Sequence, residues 1–130
     1  MAATPPEKNP LILLAEDDVT LSNMFYTYLT EEGFDVVKAT DGEEALNLIS
    51  ETKPSIILLD LMMPKVSGYD VLAAVKKDAV LSKIPVLVFS NLGQQEDVKK
   101  AQELGAQDYL IKAELTPDQV VEKIKKYLKG

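Results

Sequence analysis

Glu16, Asp17, Asp60, Ser90 and Lys112 are the residues of this chain whose types and places could act together on phosphorus. Each ends or follows a short apolar run: the acidic pair follows "LILLA", Asp60 follows "IILL", Ser90 closes "VLVFS" and Lys112 follows "DYLI". A carboxylate ending an all-apolar strand needs a partner, because an unpaired charge in a core is costly. Three carboxylates sharing a pocket repel one another, by about 4 kcal/mol for a pair about 4 Å apart at an effective dielectric near 20, so they require a cation or a raised pKa. Oxygen ligands without His or Cys select a hard divalent ion, Mg2+ by availability, with Mn2+ able to substitute. A hydroxyl and an ammonium at the same rim suit a phosphoryl group. A carboxylate nucleophile can form an acyl phosphate while Mg2+, a lysine and a hydroxyl neutralise the three equatorial oxygens during in-line transfer. Singly, each residue has a plainer explanation: the acidic pair suits a helix dipole, the serine a cap, the lysine a solvated surface. The coincidence at the ends of four strands carries the chemical reading.

Those strands follow from the apolar pattern. Short runs near Leu11–Ala15, Phe34–Ala39, Ser55–Leu59, Pro85–Phe89 and Gln107–Ile111 alternate with helical patterns, which predicts five βα units. "LILLA", "IILL" and "VLVF" are continuous rather than alternating, as expected of central parallel strands covered on both faces, whereas "FDVVKA" suits an edge. Right-handed crossovers then predict an α/β doubly wound five-stranded parallel sheet in the order 2-1-3-4-5, flanked by five helices. In such a sheet the crevice lies at the carboxyl ends of the strands, where Glu16, Asp17 and Asp60 would converge. Ser67 is placed to cap "GYDVLAAVKK", Thr116 to Gln119 to form a capping box, and Gly105 to close the helix before it. Residues 1–10, with three prolines, are expected to be a flexible N-terminal tail and 11–130 the folded domain.

Composition narrows the function. The chain has 130 residues, 46% of them apolar, enough for one domain and its core. A net charge of −7 is the wrong sign for neutralising many phosphates, so no direct nucleic-acid contact is expected. Without cysteine or histidine there is no thiolate site, no disulfide and no imidazole catalysis. The early apolar run is only five residues long, too short for a signal core or a membrane span, so a cytoplasmic protein with no membrane insertion is expected.

"LILLAEDD", "IILLDLMMPKVSGYD", "PVLVFSN" and "GAQDYLIK", in this order, resemble the receiver domain of two-component response regulators, over residues 11–129. The resemblance implies a flavodoxin-like fold with Asp60 as phosphoacceptor. It further implies Mg2+ held by Glu16, Asp17, Asp60 and the Met62 backbone carbonyl, and phosphoryl oxygens contacted by Ser90 and Lys112. Tyr109 matches the family's aromatic switch, whose ring turns inward as the Ser90 hydroxyl moves toward the phosphate. Met62 and Leu92 match the positions that flank the approach of water. Neither can orient one, so slow self-dephosphorylation is expected. Two departures bear on loop geometry. Ala113 stands where the family commonly has proline, so the Lys112–Ala113 bond is expected to be trans, and Asn91 replaces a small residue after the switch hydroxyl.

The function this implies is a phosphorylation-switched signalling module rather than an enzyme with an external substrate. It takes its phosphoryl group from a histidine kinase or histidine phosphotransfer protein and passes the signal to a downstream protein target. No output domain is expected beyond Gly130, which suggests a stand-alone receiver; a receiver excised from a larger regulator or hybrid kinase, or a non-phosphorylated binding scaffold, are the alternatives. A phosphatase of the haloacid dehalogenase class needs an aspartate where Met62 stands, and no G-x-G-x-x-G follows the first strand to bind a dinucleotide. In the first helix Leu21, Phe25 and Leu29 are expected in the core, with Val19, Ser22 and Tyr26 at the rim facing the kinase. Output is expected from the polar helix Gln94–Leu104 and the strand of Tyr109.

Overall fold

In a computed structural model, which describes residues 9–129, five strands and five α-helices alternate along the chain. The strands are β1 (Leu11–Ala15), β2 (Asp35–Ala39), β3 (Ile56–Leu59), β4 (Val86–Ser90) and β5 (Asp108–Ile111). The helices are α1 (Val19–Glu31), α2 (Gly42–Thr52), α3 (Gly68–Lys77), α4 (Gln95–Glu103) and α5 (Pro117–Lys129). All strand pairs are parallel, in the order β2-β1-β3-β4-β5, as expected. The expected tail lies outside the described residues except for Asn9 and Pro10; the Pro10 carbonyl accepts the Asp35 N–H at 3.0 Å, extending the β1–β2 edge.

Alternation along buried strands builds two cores. Leu13, Ala15, Ile57, Leu59, Val86 and Val88 point to one face, where they meet Ala45 and Ile49 of α2 and Val71, Leu72 and Val75 of α3. Ile12, Leu14, Ile56, Leu58, Leu87 and Phe89 point to the other, against Phe25 and Leu29 of α1 and Val120, Val121 and Ile124 of α5. Every residue of β3 and β4 is buried, which explains their unbroken apolar runs; β2, at the edge, mixes exposed Asp35 and Lys38 with buried Ala39.

The helix ends obey the sequence signals. Ser67 accepts the Asp70 N–H at 3.3 Å, Thr116 and Gln119 exchange the two bonds of a capping box at 2.9 and 3.3 Å, and Gly105 takes φ +103° just beyond α4. Two expectations for α1 are corrected. Ser22 is not at the rim but buried at 3% exposure, because the helix turns that position onto the sheet; Leu21 is only half-buried, packed at the margin of the second core. Val19 and Tyr26 are exposed as expected. The polar fourth helix begins at Gln95, with Gln94 as its N-cap.

Candidate functional site

The sheet's register brings the chemistry together. Ala15 is paired with Leu59, and the ladder runs one residue further on both sides: the Asp60 N–H donates to the Ala15 carbonyl at 3.0 Å and the Glu16 N–H to the Ala39 carbonyl at 2.9 Å. Glu16 and Asp60 therefore leave adjacent strands at the same height. Ser90, paired with Ile111, closes β4 one strand further along, and Lys112 follows β5.

Glu16, Asp17 and Asp60 each place a carboxylate oxygen so that all three lie within 4.8 Å of one another. Glu16 and Asp60 are buried, at 2% and 6% exposure, while Asp17 is exposed. The Lys112 ammonium reaches between the buried pair, contacting Glu16 Oε1 and, at 3.0 Å, Asp60 Oδ2. The remaining Asp60 oxygen, Oδ1, accepts the Met62 N–H at 3.1 Å, and Glu16 Oε2 accepts the Asp18 N–H at 3.1 Å. Both oxygens of each buried carboxylate are thus oriented. Burial, with the Asp60 charge adding to it, holds the Glu16 carboxyl above its ordinary value against the opposing Lys112 bond. Burial alone would push the Lys112 ammonium down, but the hydrogen bonds and charges of Glu16 and Asp60 outweigh it and hold it above the usual lysine value.

Ser90 is 1% exposed, and its Oγ accepts the Leu92 N–H at 3.2 Å. The Tyr109 ring is half-buried against the first core, and its hydroxyl donates to the Leu92 carbonyl. Burial pushes that phenol up to about 12, the Asp97 charge adds to the effect and the Ser90 hydroxyl opposes it. Met62, 61% exposed, and Leu92, half-buried, line one cavity of about 360 Å3 with Glu16, Asp17, Asp60, Ser90 and Lys112. All the residues singled out from the sequence meet there except Tyr109, which stands behind Leu92. A larger hollow of about 670 Å3, between Pro10, Thr52, Pro85 and Tyr127 at the opposite end of the sheet, gathers none of them. The Lys112–Ala113 bond is trans, as expected, and opens a short 3-10 turn, Lys112–Glu114.

Three contributors escaped the sequence reading. Asp18 lines the cavity and caps α1 by accepting the Leu21 N–H at 3.1 Å; its place before an apolar helix was a usable signal. Phe89 puts its ring centroid 5.6 Å from the Lys112 ammonium and forms a T-shaped pair with Phe25, centroids 5.1 Å apart at 83°. Gly68 lies so close to the Asp60–Leu61 peptide that a Cβ there would sit 2.2 Å from the Asp60 carbonyl oxygen. Only the tertiary structure reveals the last two.

The donor set fits a hard divalent cation: three carboxylates within reach of one another and no nitrogen or sulfur ligand. Among the described residues no helix is long and apolar enough to cross a membrane.

Known proteins resemble this chain in sequence and in fold. The family model described as response regulator receiver domain matches residues 12–125. The probable transcriptional regulator ycf27 of Guillardia theta is 39% identical over 106 residues, 82% of this chain and 41% of that protein. The DNA-binding dual master transcriptional regulator RpaA of Synechocystis is 39% identical over 103 residues, 79% of this chain and 43% of that protein. The chain thus spans less than half the length of these curated relatives. Among solved structures, the receiver domain of the Francisella response regulator 1452 superposes with a TM-score of 0.86 at 31% identity, covering 93% of this chain and 98% of that one. The receiver domain of a signal transduction histidine kinase from Syntrophus aciditrophicus gives 0.85 at 30% identity, covering 93% and 91%. The family model and the fold agree, and the chain belongs to the response regulator receiver domains, signalling domains of two-component systems.

Proposed function

We propose that the chain is a phosphorylation-dependent switch in which Asp60 is the phosphoacceptor. The single observation that carries this reading is the placement of Asp60: buried at a strand end, within 4.8 Å of two further carboxylates, and with one oxygen on the Lys112 ammonium. A carboxylate oxygen of Asp60 attacks the phosphorus of a phosphohistidine on a histidine kinase or phosphotransfer protein. The P–N bond breaks, its electron pair leaves with the imidazole, and an acyl phosphate O–P bond forms. Lys112 and Ser90 take the charge on the transferring oxygens, and Met62 N–H orients the carboxylate. Glu16, Asp17, Asp60 and the Met62 carbonyl would hold Mg2+, or Mn2+ in its place, which supplies positive charge against the phosphoryl oxygens when bound. Tyr109 and Ser90 form the switch, read by a downstream protein target, and Met62 and Leu92 exclude water without positioning it.

The test is incubation with acetyl phosphate and Mg2+. One phosphoryl group should be added per chain and lost in Asp60→Asn or on chelation; full labelling of the Asn variant would end the assignment.

The length of the relatives favours a second reading of context, in which the same switch serves a longer regulator that carries its own output. The size of the native protein, measured by immunoblot in its source, separates this from a stand-alone receiver.

A further inference from the structure

α4 is poorly held by apolar packing. Of its nine residues only Ala101 is buried, and its N-cap, Gln94, makes no side-chain hydrogen bond to the helix. An alanine methyl removes little area from water, so polar ties must seat the helix start. Two tyrosines provide them. Tyr109 of β5 bonds the Leu92 carbonyl in the loop entering the helix. Tyr69, in the first turn of α3, donates its hydroxyl to Asp97 Oδ1 at 3.0 Å and carries the Lys100 ammonium 4.2 Å from its ring centroid. Asp97 and Lys100 are three residues apart, on one helix face, so a single ring engages both. Burial, then the Asp97 bond, pushes the Tyr69 phenol up to about 12, which keeps it a donor at physiological pH. On its other side Tyr69 adjoins Gly68, whose N–H donates to the Leu61 carbonyl at 3.0 Å and whose Cα packs on the Asp60 peptide.

We propose that Tyr69 is a positioning residue of the phosphoryl site: together with Tyr109 it fixes the start of α4, and through it the loop that aligns Ser90 and Leu92. This rests on the reading of Asp60 and Ser90 as a phosphoryl site. Binding of a phosphoryl group and seating of α4 then stabilise each other, and by linkage loosening one weakens the other by the same factor.

The experiment measures calorimetric binding of beryllofluoride, a phosphoryl mimic, with Mg2+ to the full chain, and amide hydrogen exchange of the Mg2+-free protein. Tyr69→Phe keeps the ring over Lys100 and removes only the hydroxyl. It and Asp97→Ala should each weaken beryllofluoride binding by about three- to tenfold, the range of a partly exposed hydrogen bond to a charged group, and speed exchange in α4 selectively. Asp97→Asn, which keeps an acceptor, should stay within about twofold of wild type. In a Tyr109→Phe background the effect of Tyr69→Phe should shrink, because the two phenols hold one element. Wild-type affinity in Tyr69→Phe, with or without a lowered melting temperature, overturns the proposal alone. Failure of the wild type itself to bind overturns the phosphoacceptor reading as well.

Discussion

Replacing Lys112 by Met should destabilise the Mg2+-free protein and make its stability depend on the metal. The Lys112 side chain is 11% exposed, and its ammonium neutralises a Glu16 side chain exposed at 2% and an Asp60 side chain exposed at 7%. Methionine fills similar space without charge, so the variant leaves two buried carboxylates and the nearby Asp17 unopposed. At an effective dielectric near 20, a carboxylate pair at the 4.8 Å limit of the cluster repels by about 3.5 kcal/mol. Leaving a buried ion pair without one partner costs on the order of 3–5 kcal/mol. The site opens on a cavity that admits water, so we take the lower figure, about 3 kcal/mol, which lowers the melting temperature by roughly 10 °C for a domain of this size. A divalent cation supplies the missing charge, so saturating Mg2+ should recover most of that loss, a larger increment than it gives the wild type. The assay is urea and thermal unfolding in chelator and in Mg2+, with exposed Lys99→Met as the control that should change nothing. A Lys112→Met variant as stable as wild type in chelator, or one stabilised by Mg2+ no more than wild type, would refute the reasoning.

Other outcomes follow from single contacts. Ser22→Ala should stabilise the fold by about 1 kcal/mol, read as a raised urea midpoint, because the Ser22 hydroxyl is buried without a hydrogen-bond partner among the described residues. Gly68→Ala should abolish labelling by acetyl phosphate, since its Cβ would displace the Asp60 carbonyl 2.2 Å away. Gly33→Ala, at φ +97° with nothing within 4 Å of the added methyl, should cost only about 1 kcal/mol in urea unfolding and leave labelling intact. Met62→Asn and Leu92→Glu should speed loss of the phosphoryl group after donor removal by up to about a hundredfold; decay equal to wild type in both would remove these residues from control of the lifetime.

The fold was legible because its strands are buried on both faces. Ile56 to Leu59 and Val86 to Phe89 are unbroken apolar runs, and no half-exposed strand or surface helix has that composition. Strand order follows from the handedness of crossovers, and that order brings Glu16 and Asp60 to one end of adjacent strands; the register that sets them at the same height is visible only in the structure. Helix faces were less legible. The helical spacing of Leu21, Phe25 and Leu29 leaves Ser22 at the rim, yet the phase of α1 buries Ser22 at 3% exposure and leaves Leu21 half-buried. A serine carries no apolar signal, so a stripe read from the leucines and the phenylalanine is drawn through Leu21 instead of Ser22. Contacts such as Phe89 under Lys112 or Tyr69 on Asp97 join residues far apart in sequence and leave no local pattern.

The same contrast separates the frame of the molecule from the part able to move. β3 and β4 are wholly buried, and shifting either would expose apolar surface on both faces, at about 25 cal/mol for each Å2 uncovered. α4 and the loop before it are held instead by the Tyr109–Leu92 bond, the Tyr69–Asp97 bond and the stacking of Lys100 on Tyr69. Each of these can be exchanged for water at a net cost near 1 kcal/mol, where the loss of a buried core side chain costs several. The strand ends that carry Asp60, Glu16 and Lys112 therefore keep their geometry while the adjoining helix start can change its partners. A carboxylate site on rigid strands beside a helix tied down by polar contacts is a physical arrangement in which a change of charge at the first can change how firmly the second is seated.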